Sequence, residues 1–193
     1  MPKLILSSCD FRNEKSAEVI FSHLPKAVKA CRVLFFPNEK ATEAAILSGK
    51  YHARLAEFGF EPQNVTVFNY FSPQNLADAA FDVIYISGGN TFGTMKRLKD
   101  TGANRIINDY VNRDVVYIGG SAGAHIASAD IEHVKKYDTD PFGLTDFKGL
   151  WLFQGVLICH YTDDRKADLE ALKIGSPYPV TALRDDEAIV IEY

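Results

Sequence analysis

VVYIGGSAGAHIASA, residues 115–129, has the pattern of a buried strand, a turn of small residues and the start of a helix. Its centre, Gly119-Gly120-Ser121-Ala122-Gly123, fits G-x-S-x-G, in which a sharp strand-to-helix turn exposes a serine hydroxyl. Glycines are expected there because such a turn strains the backbone and leaves no room for flanking side chains. The pattern therefore predicts Ser121 as a nucleophile. The alternative is a tight turn in which Ser121 only caps the helix.

Composition limits the classes of protein to which the chain can belong. With 193 residues, of which 47% are hydrophobic and 24% charged, we expect one α/β domain over residues 1–193. The net charge is -4 and there is no basic run, which argues against nucleic acid or a membrane surface as partner. The three consecutive apolar residues near the N-terminus are too few for a signal-peptide core. A cytoplasmic protein with a small soluble partner is predicted.

Neither the cysteines nor any motif indicates a cofactor. Cys9, Cys31 and Cys159 are odd in number and lack the spacing of a metal site, which favours reduced thiols in a core. The sequence has no H-E-x-x-H, no P-loop and no G-x-G-x-x-G fingerprint. We therefore expect no metal and no cofactor.

Strand-like and helix-like segments alternate before the turn at Ser121. Strands are predicted at residues 3–7, 32–36, 65–68, 83–87 and 115–118. Helices are predicted from Ser16, over 41–58 with a stop at Gly59, over 72–80 from a Ser-Pro start, and over 91–112 with a break near Gly102. This alternation predicts a parallel, doubly wound sheet with helices on both faces.

The rhythm changes after residue 129. Residues 130–148 are polar and loop-like, and residues 150–159 form an apolar, strand-like run that ends at His160. A short charged helix is predicted over 164–173. Two final strands are predicted at 180–183 and 188–192, with residues 184–187 as a hairpin or tight-loop connection.

Functional groups of an open α/β sheet gather where its strands end at the carboxyl edge. Gly88-Gly89-Asn90 follows the fourth strand and is predicted to lie beside Ser121. A glycine-rich turn there lets backbone N–H groups approach a substrate carbonyl, so Gly88 and Asn90 are predicted substrate-binding residues. The alternative is a plain turn before a helix.

A serine nucleophile needs a base, and histidine is the usual one near neutral pH. His160 is the best-placed of five histidines because it closes a hydrophobic strand after the serine. His23 and His52 lie in amphipathic helices, and His133 lies in a polar loop. His125 is four residues beyond Ser121 on the next helix, so its side chain is predicted to point away from the hydroxyl and at most to line the pocket.

The carboxylate that would orient the histidine is not chosen by the sequence. Candidates follow the histidine, lie between the last two strands, or lie in the loop after the helix at 122: Asp163, Asp164, Asp185, Asp186, Glu187, Asp138 and Asp140.

Three features together resemble one family. SGGNTF at residues 87–92, GGSAGA at residues 119–124 and the strand-terminal His160 are similar, in order and spacing, to the peptidase E and cyanophycinase family of serine peptidases. The resemblance implies a flavodoxin-like, doubly wound, mostly parallel sheet like that of the class I glutamine amidotransferase domain. It also implies a triad in the order serine, histidine, acid.

Carried over by position, the resemblance implies a role for each matching residue. Ser121 would be the nucleophile, His160 the base, and the N–H groups of Gly89 and Ala122 the oxyanion hole. The acid would be Asp185, before the final strand, or, on another proposal for the family, Asp138.

The resemblance implies a serine peptidase that hydrolyses small peptides, with dipeptides beginning in aspartate as one candidate substrate. The alternatives are another acyl-transfer hydrolase, such as an amidase or esterase, and a catalytically silent ligand-binding domain. We expect a monomer or homodimer, with neither nucleic acid nor membrane as partner.

Arg165 is the residue predicted to read the substrate's charge. It lies at the start of a short helix five residues after His160, where a guanidinium could bind a substrate carboxylate through two hydrogen bonds. The alternative is a solvated helix start, because its neighbours at 163–166 are all charged.

Overall fold

The computed structural model describes residues 3–72, 74, 76 and 79–192, which form two sheets and the helices around them. The strands are β1 Lys3–Ser7, β2 Val33–Phe36, β3 Val65–Val67, β4 Val83–Ile86, β5 Val116–Gly120, β6 Val156–Ile158, β7 Val180–Ala182 and β8 Ala188–Glu192. Six of them form a sheet in the order β3-β2-β4-β5-β1-β8, and β6 pairs with β7 in a second sheet.

The large sheet is mostly parallel. Strands β1 to β5 run in one direction, and only β8 is antiparallel, with Leu4 of β1 opposite Ile191. The predicted α/β class with a doubly wound, mostly parallel sheet is confirmed. Strands β2, β4 and β5 are buried along their whole length, as expected of parallel strands covered on both faces.

Seven α-helices lie between the strands of the described residues. They are α1 Glu14–His23, α2 Glu43–Leu47, α3 Lys50–Glu57, α4 Thr91–Thr101, α5 Ala103–Val111, α6 Ala122–Ala127 and α7 Lys166–Gly175. None of these described helices is both long and apolar enough to cross a membrane.

Several predicted helix boundaries were wrong. The cap of α1 is Asn13, whose side chain accepts from the N–H groups of Lys15 and Ser16, so Ser16 is a buried residue inside the helix. The helix predicted over 41–58 is two helices, because Gly49 between them adopts a φ of 77°. The break predicted near Gly102 is found. The helix predicted over 72–80 lies partly outside the described residues.

The C-terminal segments differ most from the prediction. Only Val156–Ile158 of the predicted strand 150–159 is extended, because Leu150 and Leu152 donate their N–H groups to carbonyls at the end of α6 instead. For residues 184–187 the prediction was a hairpin or a tight loop; the hairpin is wrong, and the tight loop is found, with the N–H of Glu187 donating to the carbonyl of Arg184 at 3.0 Å. The two flanking strands belong to different sheets, so this loop carries the chain from β7 to β8.

Two hydrophobic layers hold the helices against the large sheet. Alternating strand residues such as Leu4 and Leu6 pack with α4, α5 and α6 on one face. Ile5 and its counterparts on the other strands pack with α1, α2 and α3 on the opposite face. Both faces are therefore filled, and the carboxyl ends of β1, β2, β4 and β5 are left as the place for a site.

Candidate active site

Ser121 lies in a strained turn between β5 and α6. Its φ of 49° and ψ of -109° are rare for a residue with a side chain, and such conformations persist only where the surroundings hold them. Its N–H donates to the carbonyl of Ser7 at 2.8 Å, which fastens the turn to the end of β1. Its side chain forms no capping bond to α6, so the hydroxyl is directed elsewhere.

The glycines around Ser121 are required by close packing. A Cβ on Gly123 would lie 2.1 Å from the carbonyl oxygen of Ile86 in β4, and one on Gly119 would lie 2.6 Å from the carbonyl oxygen of Gly123. A Cβ on Gly120 would lie 2.5 Å from the Asp10 carboxylate. The motif thus brings α6 directly against the sheet.

Ser121, His160 and Asp185 form a hydrogen-bonded chain. The Ser121 hydroxyl lies 2.9 Å from Nε2 of His160, and Nδ1 of His160 lies 2.5 Å from Oδ1 of Asp185. These residues come from the ends of β5, β6 and β7. Asp185 is exposed, and Ser121 and His160 are partly buried, so solvent reaches this row of hydrogen-bonded side chains.

Ser8 holds the histidine in place and was missed by the sequence analysis. This buried hydroxyl accepts from the N–H of His160 at 3.0 Å and donates to the carbonyl of Leu183 at 2.9 Å. It therefore ties the end of β1 to both strands of the small sheet, near His160 and Asp185. The available signal was its position directly after β1, at the carboxyl edge.

The other candidate carboxylates in the loops near the site have partners away from His160. Lys15 binds Asp186, the N–H of Arg184 binds Glu187, the guanidinium of Arg184 binds Asp163, the side chain of Thr162 binds Asp164, the N–H of Thr91 binds Asp138, and the N–H groups of Phe142 and Leu144 bind Asp140. Of the residues considered, Asp185 is the one brought to the histidine.

His125 points away from Ser121, as predicted, and lies in the core. Its Nε2 accepts from the N–H of Cys159 at 3.1 Å, and its Nδ1 lies 3.2 Å from the hydroxyl of Thr91. Burial, followed by the charges of His133, His160 and other groups, lowers the pKa of His125 to about 3. A neutral imidazole at this position anchors the residue that precedes His160.

The remaining histidines bind backbone carbonyls outside the Ser121 cluster. His23 contacts the carbonyl of Val19, His52 that of Val65, and His133 that of Leu157.

The loop after β4 is clamped by the loop after β2. Asn38 donates its side-chain N–H to the carbonyl of Gly88 at 3.0 Å, and the Glu39 carboxylate accepts from the N–H of Asn90 at 3.0 Å. A Cβ on Gly89 would lie 2.6 Å from that carboxylate. In a trans peptide the C=O and N–H groups point in opposite directions, so the N–H of Gly89 points away from Asn38.

Two backbone donors remain open near Ser121. Within residues 3–72, 74, 76 and 79–192, the N–H groups of Gly89 and Ala122 have no hydrogen-bond partner. The N–H of Ala122 is at the first position of α6, where no intrahelical acceptor exists. Gly88 lies close to Ser121, since a Cβ on Gly88 would lie 3.2 Å from Cβ of Ser121.

The side chains of Asn90 and Arg165 are engaged with the protein itself. Asn90 accepts from the N–H of Gly93 at 2.8 Å as the cap of α4 and donates to the carbonyl of Thr139. Arg165 donates to the carbonyl of Cys159 at 3.2 Å and stacks on the ring of Tyr137 at 4.5 Å.

Cys9 lies beside the histidine and carboxylate, and the three could hold a metal ion. The ligand atoms of Cys9, His160 and Asp185 lie within 4.8 Å of one another. Burial first, and then the Asp185 carboxylate, raise the pKa of the Cys9 thiol, so the thiol is protonated at neutral pH. An ion at this position would bind His160, which contacts Ser121, and Asp185, which contacts His160. No sequence pattern marks this group, because its members come from three distant segments of the chain.

Nearly the whole chain matches one known family. The family model of peptidase family S51 covers residues 3–193. The chain belongs to peptidase family S51. The resemblance that the motifs suggested is therefore confirmed.

The similarity to named relatives extends over a shorter region of the S51 chain than the match to the family model. Over 85 residues it is 39% identical to an uncharacterised peptidase of Pasteurella multocida strain Pm70, a region that covers 42% of the chain and 41% of that relative. Over 83 residues it is 35% identical to peptidase E of Escherichia coli strain HS, covering 42% and 35%. The chain spans about two fifths of the length of the first curated relatives that it matches.

Solved structures match over nearly all of the S51 chain. A crystal structure of a candidate peptidase E protein from Listeria monocytogenes EGD-e has a TM-score of 0.73 and 26% identity, covering 99% of this chain and 94% of that one. A peptidase from an acI-B1 Actinobacterium has a TM-score of 0.66 and 14% identity, covering 100% and 84%. The second likeness concerns the fold alone.

Proposed function

We propose that the protein is a serine peptidase that hydrolyses small peptides through Ser121, His160 and Asp185. The observation that carries the proposal is the chain from the Ser121 hydroxyl to Nε2 of His160 at 2.9 Å and from Nδ1 of His160 to Asp185 at 2.5 Å. Membership of family S51 supports the same reaction class. A nucleophile, a base and a group that orients the base are what acyl transfer by serine requires.

In the first half of the reaction, the Ser121 oxygen attacks the substrate's amide carbon while its proton passes to Nε2 of His160. The carbon–nitrogen bond then breaks, and His160 returns the proton to the leaving amine. Asp185 holds Nδ1 protonated, so Nε2 is the nitrogen that is free to accept. The product of this half is an ester on Ser121.

In the second half, water attacks the ester. His160 accepts the proton of the water as the new carbon–oxygen bond forms and returns it to the Ser121 oxygen as the ester bond breaks. The carboxylic acid product leaves, and the free hydroxyl is restored.

The oxyanion of each tetrahedral intermediate would be bound by the N–H groups of Gly89 and Ala122. Both lack a partner among the described residues, and Gly88, which immediately precedes Gly89, lies close to Ser121. Asn38 and Glu39 fix the loop that carries Gly89, so the donor needs little reorganisation during the reaction. The contact of Asn90 with substrate would be made by its backbone, because its side chain caps α4.

Dipeptides that begin with aspartate remain one candidate substrate class. The setting we propose is the cytoplasm, with the protein as a monomer or homodimer and without nucleic acid or membrane as partner. The three cysteines are free thiols, as a reducing compartment would allow.

The decisive experiment is labelling and turnover of Ser121→Ala. We expect loss of labelling by a fluorophosphonate probe and a fall in kcat/KM for a small peptide by roughly three powers of ten or more. Ser22→Ala is the control, because Ser22 is exposed near the end of α1 and binds only local groups. Undiminished hydrolysis by purified Ser121→Ala would contradict the mechanism. Hydrolysis of esters or simple amides but not peptides would favour the alternative hydrolase.

A further inference from the structure

A buried ionic network lies directly behind the Ser121 turn. Asp10, which begins a short 3-10 helix three residues after β1, is fully buried and has a φ of 49°. Its carboxylate accepts from the hydroxyl of Tyr85 at 2.9 Å and from Nε of Arg12 at 3.0 Å. Burial, and then this carboxylate, raise the pKa of Tyr85 well above its usual value, so Tyr85 remains a donor. The Tyr85 hydroxyl therefore keeps its proton. The cation of the network is Arg12, which the Asp10 carboxylate holds in place.

Such a network is costly for the fold. A carboxylate removed from water is costly even when it is paired and hydrogen-bonded, and here only the carboxylate of the pair is fully buried. A positive φ at a residue other than glycine adds strain, and strained residues cluster at functional sites. The cost makes a structural role alone a weak explanation and directs attention to what the network holds in place.

It holds the free end of the Arg12 guanidinium at the mouth of the site. A Cβ on Gly88 would lie 3.2 Å from Nη2 of Arg12 and 3.2 Å from Cβ of Ser121. Nη2 of Arg12 and Cβ of Ser121 are therefore separated by no more than twice 3.2 Å. The Arg12 side chain is 49% exposed. Its Nε binds Asp10 and the carbonyl of Cys9, and over the described part of the chain neither Nη has a partner.

The other cations near the triad are engaged. Arg165 donates to the carbonyl of Cys159 and stacks on Tyr137. Lys15 binds Asp186, and Arg184 binds Asp163. Arg12 differs from these three described cations because neither of its Nη groups is bonded to a described residue and one of them lies close to the nucleophile.

We propose that Arg12 binds a carboxylate of the substrate beside the scissile bond, and that Asp10 is the positioning residue for Arg12. This inference rests on the proposed peptidase function. Two free Nη groups in one plane match the two oxygens of a carboxylate, which a lysine cannot do. The carboxylate is either an acidic side chain or the C-terminus of a short peptide. Both have the same chemistry, and the experiment separates them.

The test compares Arg12→Met and Arg12→Lys on matched pairs of peptides. One pair differs only in Asp against Asn beside the scissile bond, and the other only in a free against an amidated C-terminus. We expect wild type to prefer the carboxylate form of one pair, and Arg12→Met to reduce that preference roughly a hundredfold. Arg12→Lys should keep part of the preference, because it keeps charge without the planar fork. The peptide pair whose preference falls in Arg12→Met shows whether the bound carboxylate is an acidic side chain or the C-terminus.

The ratio within a pair is independent of how much of a preparation is folded. This matters because Arg12→Met leaves Asp10 without its cation. Arg32→Met is the charge-matched control, because Arg32 lies before β2 at the opposite edge of the sheet, and its ratios should equal those of wild type. Unchanged ratios for both pairs in Arg12→Met would overturn the inference. Retained Ser121 labelling in that variant would leave the proposed function standing, whereas turnover by Ser121→Ala would contradict the function itself.

Discussion

Asp185 contacts His160 while Asp186, the next residue, turns to Lys15. The difference gives a sharp test of the acid. We expect Asp185→Asn to lower kcat roughly a thousandfold, because an amide does not hold Nδ1 protonated and Nε2 then loses its role as base. Asp186→Asn removes the same charge one residue away and should change kcat by less than about threefold. Steady-state kinetics on one peptide measures both, and equal losses would show that charge rather than contact is at work.

At this scale the sequence led to some residues and not to others. Ser121 was found because its motif is local, and His160 because it closes an apolar run. The structure brings their side chains together, and their catalytic roles stay predictions. Asp10 and Arg12 were missed because the partners that define them, Tyr85 and Gly88, are more than seventy residues away.

Helix α6 approaches the sheet more closely than an ordinary helix can, and Gly123 permits it. We expect Gly123→Ala to lower the free energy of unfolding by about 1–3 kcal/mol, because its methyl group would overlap the carbonyl of Ile86 and force α6 away from β4. Urea denaturation measures the change.

Gly175→Ala is the matched control for that substitution. Gly175 is the last residue of α7, has nothing within 4 Å of a Cβ and has no positive φ. Alanine there should leave stability unchanged or raise it by up to about 1 kcal/mol. A Gly123→Ala protein as stable as wild type would contradict the packing argument.

Elements were predictable where burial alone decides them. Strands β1 to β5 match the apolar runs to within two residues, because parallel strands covered on both faces must be continuously apolar. Strands β7 and β8 were found as strands but not as members of different sheets. Strand β8 pairs with β1 and strand β7 pairs with β6. No local sequence pattern predicts which strand each of them joins.

The molecule as a whole places its candidate site at one edge of a sheet buried on both faces. Four parallel strands, β1, β2, β4 and β5, supply Ser8, Asn38, Gly89 and Ser121 at that edge, and the small sheet adds His160 and Asp185. The alternation of strands and helices predicted this edge correctly. The small sheet was not predicted, although it delivers two of the three residues in the proposed triad.

Two histidines on the α6 side of the sheet, His125 buried and His133 partly buried, predict how the whole fold responds to acid. Burial lowers the pKa of His125 to about 3 and lowers that of His133 as well. Between pH 6.5 and 3 the unfolded chain therefore binds more protons than the folded one, so stability falls as the pH falls through this window. His125 alone should cost about 1 kcal/mol of the free energy of unfolding between pH 6 and pH 5. Urea denaturation at pH 7, 6 and 5 measures the loss.

The histidine contribution can be isolated with one pair of variants. His125→Gln keeps an acceptor for the N–H of Cys159 but cannot take up a proton, so its unfolding free energy should fall less between pH 6 and pH 5 than that of wild type. His23→Gln is the control, because His23 is partly exposed near the end of α1, and it should keep the wild-type slope. Carboxylates such as Asp82, whose pKa is lowered, change the unfolding free energy mainly below pH 5. An identical pH slope in His125→Gln and wild type would mean that another group sets the acid sensitivity of the fold.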